Sequence, residues 1–367
     1  MEESLKYQIA LTLIPGIGDV LAKNLIDHCG SAEGVFKEKK GTLQKIRGIG
    51  EILADAVSRY QVLDRAEEEV TFIQRFKITP LFYLEDTYPQ RLRQCHDSPV
   101  MLYYKGTGDL NAKRILSIVG TRNASSLGKK LCQDLIQDLR EYGVLIVSGL
   151  AYGIDICAHK AALAEELPTV GVLAHGLDKI YPALHRSTAE KMLEQGGLLT
   201  DFPSKTIPDA PNFPKRNRIV AGLSDATVVV ESKAKGGSLI TADIANSYSR
   251  DVFAFPGRVK DECSLGCNQL IKYNKGALIE SGEDIIRMMG WEKPKNKPKV
   301  VQQKSLFQNL SPEEEVIINL LKEKTDRGLD ELCFLAKLSM SKVSLSLLNL
   351  ELTGLIQEKP GKIYSLN

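Results

Sequence analysis

Four loops in the middle of the chain carry residue types that bind anions. They are Gly120-Thr121-Arg122, Ser148-Gly149, His175-Gly176 and Gly236-Gly237-Ser238, and each follows a run of apolar, mostly β-branched residues. Glycine and small hydroxyl side chains let backbone N–H groups approach a phosphate, and a nearby cation balances its charge. A single loop of this kind could simply form a tight turn, whereas four such loops together predict an anion-binding crevice.

A second cluster of cations begins at Phe213. It contains Lys215, Arg216, Asn217 and Arg218 and falls at the predicted start of a helix, where the helix dipole favours an anion. Cations beside an aromatic ring suit a single nucleic-acid strand, because phosphates pair with the cations while an unstacked base lies on the ring. The alternative is that the ring belongs to the core and the arginines are structural ion-pair partners.

The spacing of these residues disfavours other ligands. Gly120 and Gly128 do not form a G-x-G-x-x-G pattern, and the sequence has no G-x-x-x-x-G-K-[ST] loop, so neither an NAD-type cofactor nor ATP hydrolysis by a P-loop is expected. The histidines are too dispersed to predict a metal site, and Asp155 with His159 is more typical of a structural pair than of a catalytic one. We predict no cofactor, no metal and no catalytic residue.

The elements that must position the four loops follow from the pattern of residues 114–290. Short β-branched runs at 115–119, 144–147, 169–173, 226–230 and 252–254 alternate with helix-length amphipathic segments. This alternation predicts an α/β fold, a Rossmann-like doubly wound parallel sheet with helices on both faces. Ligands of such sheets gather at the carboxyl ends of the strands, where the four loops lie.

The N-terminal region contains a short repeat. Residues 16–18 and 48–50 are both Gly-Ile-Gly, and each is followed by a helical pattern. The repeat predicts an all-α helix-hairpin-helix domain over residues 1–75, whose turns can direct backbone N–H groups at a phosphate. Few basic residues lie beside the turns, so a purely structural role for the hairpins stays equally open.

The C-terminal region predicts a separate domain. Residues 293–305 are rich in lysine and proline and predict a linker, and Ser311 begins a helical pattern with a capping box. Three helical patterns and a final hairpin predict a winged-helix domain over residues 306–367, which leaves residues 76–292 for the Rossmann-like core. Because Lys342 is almost the only basic residue of the third helix, a protein-binding role is at least as favoured as duplex DNA.

Composition limits the partners of the chain. Its 48 basic and 46 acidic residues leave a net charge of +2, so any nucleic-acid surface must arise from local segregation of charge. No apolar run approaches the roughly 18–20 residues that span a bilayer, and the N-terminus lacks a signal-peptide pattern. We therefore expect a cytoplasmic protein without a membrane partner.

Four longer motifs carry a resemblance to a known family. They are SIVGTR at 117–122, SGLAYGID at 148–155 with His159, FPKRNRIVAG at 213–222 and GGSLITA at 236–242. Together they resemble the DprA/Smf family over roughly residues 80–290. The resemblance implies a non-enzymatic protein that binds single-stranded DNA, protects it during natural transformation, loads the RecA recombinase and forms a homodimer through the Rossmann-like core. Carried over by motif, the DNA contacts would be Arg122, Ser148, Gly149 and residues 213–218 and 236–238.

Two other classes of function stay open. The same Rossmann variant resembles the nucleotide phosphoribohydrolases, whose P-G-G-x-G-T-x-x-E signature corresponds here to residues 235–243. This stretch lacks the proline and the glycine of the second part of the signature, and only Asp243 could supply the acid, which argues against hydrolysis. The third class is an interaction scaffold without a nucleic-acid ligand.

Overall fold

A computed structural model of the chain describes residues 2–59, 61–293, 310–323, 326–352, 355–359 and 362–366. Contacts between residues divide the chain into two compact units, Met1–Lys295 and Asn296–Asn367. The first unit contains both the N-terminal helices and the sheet. In the described residues, no helix is long and apolar enough to cross a membrane.

The N-terminal helices form two successive hairpins around a small core. Ile9, Leu25, Leu43 and Ala54 are buried where these helices meet, and the first helix also packs along the last. The predicted helix-hairpin-helix architecture is confirmed. The helices are α1 (Glu2–Leu13), α2 (Asp19–Cys29), α3 (Ala32–Lys37), α4 (Lys40–Leu43), α5 (Glu51–Arg59) and α6 (Leu63–Phe76).

The central sheet has nine strands among the described residues, in the order β1-β2-β6-β5-β4-β3-β7-β8-β9. β2 pairs antiparallel with both β1 and β6. All the other neighbouring strands, from β6 across to β9, pair parallel. The strands are β1 (Thr79–Phe82), β2 (Met101–Gly106), β3 (Ile115–Val119), β4 (Leu145–Ser148), β5 (Thr169–Val172), β6 (Gly196–Thr200), β7 (Ala226–Val229), β8 (Asp251–Ala254) and β9 (Ala277–Leu278).

Helices cover both faces of the sheet, and this explains why most residues of the strands are buried. In β3, Leu116 and Ile118 face one core, whereas Ile115 and Val119 face the other. The helices of this region are α7 (Gln90–Arg93), α8 (Ser126–Leu139), α9 (Ile154–Ala164), α10 (Arg186–Gln195), α11 (Asn212–Leu223), α12 (Gly237–Ser247), α13 (Leu265–Lys272) and α14 (Gly282–Met288).

All five predicted strands are present, whereas four others were not predicted. The missed β6 begins with two glycines, Gly196 and Gly197, and β1 contains Pro80, so neither has the β-branched composition on which the prediction rested. The missed β2 pairs antiparallel with both of them. These strands are held in the sheet by partners distant in sequence.

The order of the strands fixes where a ligand can enter. From β3 the chain moves outward through β4 and β5 to β6, and it then returns along α11 to place β7 on the other side of β3. After β3 the chain continues toward β4, and after β7 it continues toward β8, so the loops that follow these two adjacent strands separate. This switch point opens a crevice at the carboxyl edge of the sheet.

The second unit is a small winged helix. Its core contains Ile317, Leu321, Leu332, Val343 and Leu347. The predicted winged-helix architecture is confirmed, but the linker at 294–305 and the turn at 360–361 lie outside the described residues. The elements are α15 (Pro312–Glu323), β10 (Arg327–Gly328), α16 (Leu329–Ala336), α17 (Met340–Leu352), β11 (Ile356–Lys359) and β12 (Ile363–Leu366).

Candidate nucleic-acid interface

A cleft of about 860 Å³ opens at the carboxyl ends of β3, β4 and β7. The amino ends of α9, α11 and α12 surround it, so three helix dipoles direct their positive ends toward its interior. Of the predicted site residues, the structure brings together here Gly120, Thr121, Arg122, Gly149, Phe213, Arg216, Asn217, Gly236, Gly237 and Ser238.

Arg122 and two aromatic rings form one wall of the cleft. The backbone of Thr121 fixes the loop, because its N–H donates to the carbonyl of Glu231 over 2.8 Å and its carbonyl accepts from Ile154 N–H over 3.2 Å. The exposed Arg122 guanidinium lies 5.2 Å from the centre of the Phe213 ring. The Tyr181 ring follows at 6.4 Å from Phe213. A cation and two stackable rings are thus adjacent.

The amino end of α12 also lines the cleft. Gly236 precedes the helix without a side-chain cap, and nothing lies within 4 Å of where a side chain on Gly237 would begin. Lys233 and Lys235 are exposed at the same rim, and Lys233 pairs with Glu262 over 2.9 Å. Sequence reasoning did not place these two lysines in the site, although both lie in the loop that follows β7.

The floor of the cleft is a buried guanidinium. Arg216 is only 4 % exposed, and its Nη1 donates to the carbonyl of Val172 over 2.9 Å. Asp155 lies beside it and accepts from Gly149 N–H over 3.1 Å, and burial raises the pKa of this carboxyl although Arg216 opposes the shift. Within the described residues, Nε of Arg216 has no hydrogen-bond partner. A positive group with an unused donor therefore underlies the cleft.

A small pocket of about 90 Å³ adjoins the cleft beneath Phe213 and Tyr181. His175 lines it, with Nδ1 2.9 Å from the carbonyl of Gly176. Burial lowers the pKa of His175, so the ring is neutral, Nδ1 donates to that carbonyl and Nε2 is an acceptor. In the part of the chain described, Nε2 has no partner. The pocket is thus lined by a neutral imidazole and the Arg216 side chain beside the Phe213 and Tyr181 rings.

Comparison with known proteins identifies the family. The model for DNA recombination-mediator protein A matches residues 79–290, which contain the whole cleft. The chain belongs to this family. A DprA winged helix domain matches residues 303–362, and a SAM-like helix-hairpin-helix tandem matches residues 9–58.

Individual relatives agree with this family membership. Protein Smf of Synechocystis is 31% identical over 98% of both chains, and the DNA processing protein DprA of Streptococcus pneumoniae is 40% identical over 63% of this chain and 80% of its own. The X-ray structure of that pneumococcal DprA matches at 32% identity with a TM-score of 0.65, covering 78% of this chain and 98% of the other. DNA processing protein A of Helicobacter pylori, studied for its single-stranded DNA binding mode, matches at 27% identity with a TM-score of 0.53, covering 58% and 96%.

Arg218 was predicted to contact DNA, but in the structure it does not line the cleft. Its Nη2 contacts the carboxylates of Asp19 and Asp201 at 2.8 and 2.9 Å, and these two partners raise its pKa although burial opposes the shift. The guanidinium joins α2 to the sheet and is committed to protein carboxylates. An ion pair is what the structural alternative expects for this arginine.

Three further predicted residues lie outside the cleft. The hydroxyl of Ser148 is buried and donates to the carbonyl of Ile118 over 2.6 Å, and Gly176 is buried against Pro203. Lys215 is exposed, but it lines a different cavity of about 630 Å³ between the first hairpin and the sheet. None of these three residues lines the cleft.

In each hairpin, the helix that follows the turn begins with an acidic residue. This helix end is the one that was predicted to face a phosphate. Asp19 and Glu51 are the first residues of α2 and α5. The carboxylate of Asp19 accepts from Val100 N–H over 2.8 Å in addition to Arg218. The Asp19 carboxylate is therefore committed to contacts within the protein, which favours the structural role for this hairpin.

Proposed function

We propose that the cleft at the carboxyl edge of the sheet binds single-stranded DNA without catalysing a reaction on it. The observation that carries the proposal is the position of the Arg122 guanidinium over the Phe213 ring, in the cleft that the uncapped amino end of α12 also lines. A strand in the cleft would meet cations and helix N–H groups with its phosphates and aromatic rings with its bases.

The small pocket supports a preference for single strands. It lies beneath Phe213 and Tyr181 and could hold one base turned away from its neighbours. The Phe213 and Tyr181 side chains would give that base surfaces to stack on, which bases of any sequence can use. A base paired within a duplex presents neither its face nor its pairing edge, so duplex DNA could not use this pocket.

Asp243 weakens the rival proposal of a phosphoribohydrolase. It is the acid that the alternative requires, but it forms an exposed ion pair with Lys275 at 2.8 Å and does not line the cleft. Binding without turnover is therefore the better proposal.

The family resemblance extends the proposal to biological partners. It implies that the chain protects incoming single strands in the cytoplasm during natural transformation, loads the RecA recombinase onto them and acts as a homodimer through the Rossmann-like core. The Helicobacter pylori relative, whose single-stranded DNA binding has been described structurally, supports the DNA part of this proposal.

Fluorescence anisotropy with a labelled homopolymeric oligonucleotide tests the proposal. We expect tight binding of the single strand, much weaker binding of a duplex of equal length, and little dependence on base sequence. Equal affinity for the duplex would contradict the proposal. Release of a free base from a nucleoside monophosphate would favour the phosphoribohydrolase instead.

A further inference from the structure

The amino end of α8 lies at the switch point between β3 and β7. In Rossmann folds that bind dinucleotides, the helix after the first strand of the motif holds the pyrophosphate at its amino end. Here that helix is α8, which follows β3 and the Arg122 loop. It is 14 residues long, and its dipole favours an anion at this end.

An anion of the chain itself occupies this position. The carboxylate of Glu231 accepts from the backbone N–H of Ser125 over 2.9 Å with one oxygen and from the Ser125 hydroxyl with the other. Glu231 is only 6 % exposed, two residues beyond the end of β7. A carboxylate of the chain thus binds the residue that caps α8.

The residues around Glu231 leave room for that carboxylate and for little else. A side chain on Gly128, in the first turn of α8, would overlap the Glu231 carboxyl group, so only glycine admits it there. Ser125 caps the helix as well, because its hydroxyl accepts from Gly128 N–H over 3.0 Å. The Glu231 carboxylate, the Ser125 cap and Gly128 therefore fit together at the amino end of α8.

The same residue also fixes the loop that carries Arg122. The Glu231 carbonyl accepts from Thr121 N–H over 2.8 Å at the start of the loop, while its carboxylate binds Ser125 at the end of the loop. Arg122 lies between these two anchors. Glu231 is therefore placed to act on a ligand through Arg122, as a positioning residue.

We propose that Glu231 is a built-in anion that closes the phosphate site of this fold, positions Arg122, and makes the cleft select a polymeric strand over free nucleotides. The last part rests on the proposed function. With the end of α8 closed, the remaining anion contacts are separate points, namely Arg122, the end of α12 and the rim lysines. A polymer engages several of these points in one molecule and gains from their high effective concentration, whereas a free nucleotide engages few.

Isothermal titration of the full chain with inorganic pyrophosphate tests the closed site without DNA. For Glu231→Ala we expect pyrophosphate binding at least about tenfold tighter than in the wild type, because the end of α8 becomes available. Glu262→Ala is the control, since it removes an exposed acid from the cleft rim and leaves α8 untouched, and it should gain no more than about threefold through the released Lys233. An equal gain in both variants would overturn the proposal.

Glu231→Gln tests the positioning role. Its amide retains the shape of the carboxylate and can still accept from Ser125 N–H, so we expect oligonucleotide affinity within about twofold of the wild type, whereas Glu231→Ala should lose about tenfold or more. A loss of equal size in the two variants would contradict the positioning role. Circular dichroism and thermal unfolding establish whether each variant is folded.

A measurement on the wild type keeps the proposal testable if Glu231→Ala does not fold. Pyrophosphate and a nucleoside monophosphate should each bind at least about a hundredfold more weakly than a homopolymer of about 20 nucleotides. Binding of either within tenfold of the homopolymer would overturn the selectivity. If the wild type binds no oligonucleotide while Glu231→Ala gains pyrophosphate, the proposed function fails and the closed phosphate site is upheld.

Discussion

The guanidinium of Arg216 occupies the space into which a side chain on Gly149 would project. The first methyl group at position 149 would overlap Nη1, the atom that donates to the carbonyl of Val172. This glycine therefore belongs to the cleft as the residue that admits the buried cation of its floor, and it is not required to touch a ligand itself.

Gly149→Ala should destabilise the fold by about 1–3 kcal/mol, because either Arg216 or the loop after β4 must move. It should also weaken oligonucleotide binding, since the cation of the floor is displaced. Urea unfolding measures the first effect. Gly41→Ala is the control, because nothing lies within 4 Å of where its side chain would begin, and it should change stability by less than about 1 kcal/mol. Equal stability of both variants would contradict the close packing of Arg216 and Gly149.

The pattern of correct and incorrect predictions on α11 has a simple geometric reason. Phe213, Arg216 and Asn217 are spaced three and four residues apart and share the face that lines the cleft, whereas Lys215 and Arg218 share the neighbouring face toward the first hairpin. Helical spacing separates the two sets in the sequence. Which set meets the ligand depends on how α11 docks on the sheet, and this is a tertiary property.

The strand ends were predictable for a different reason. Each predicted strand is a β-branched run followed by glycine, and parallel strands place those loops at one edge of the sheet. Glu231 could not be assigned in the same way. Its partner Ser125 is 106 residues away, and the two meet only because β7 returns to lie beside β3.

Phe213→Ala should weaken binding of a single strand by about 1–3 kcal/mol at unchanged salt dependence, because stacking of a base releases no counterions. Phe213→Tyr retains a ring and should bind as the wild type does. An oligonucleotide that lacks bases should bind Phe213→Ala and the wild type equally, since no base is present to stack. Full affinity of Phe213→Ala for a normal strand would contradict the role of this ring.

His159 should make the fold sensitive to acid. Its ring is fully buried with Nδ1 2.7 Å from the hydroxyl of Thr169, and burial lowers its pKa from 6.5 to about 3. The folded chain therefore keeps this ring neutral while the unfolded chain protonates it. Its contribution to stability is present above about pH 6.5 and is lost as the pH falls toward 3, at up to about 1.4 kcal/mol per pH unit.

Urea unfolding between pH 7 and pH 5 measures this effect. His159→Gln should show a flatter dependence of the free energy of unfolding on pH than the wild type. His28→Gln, which removes an exposed histidine, should follow the wild type. The same slope in all three chains would show that His159 does not carry the acid sensitivity.

Deletion of residues 306–367 should leave single-strand affinity within about twofold of the full chain. The cation of α17, Lys342, pairs with Glu313 at 3.2 Å, and the helix exposes Leu345 and Leu348 instead of basic side chains. The lysines at 293–305 are retained in the shortened chain. A tenfold loss of affinity would show that the winged helix is itself a DNA-binding unit.

The salt dependence of oligonucleotide binding tests the central claim most directly. Arg122→Ala and Lys235→Ala should each weaken binding of every sequence alike and flatten the slope of log K against log salt by about 0.7, the value for one phosphate contact on a single strand. Lys215→Ala, a cation of the neighbouring face, should retain the slope of the wild type, and thermal unfolding should show all three variants to be folded. If Arg122→Ala and Lys235→Ala keep the affinity and slope of the wild type, the cleft is not where this chain holds DNA.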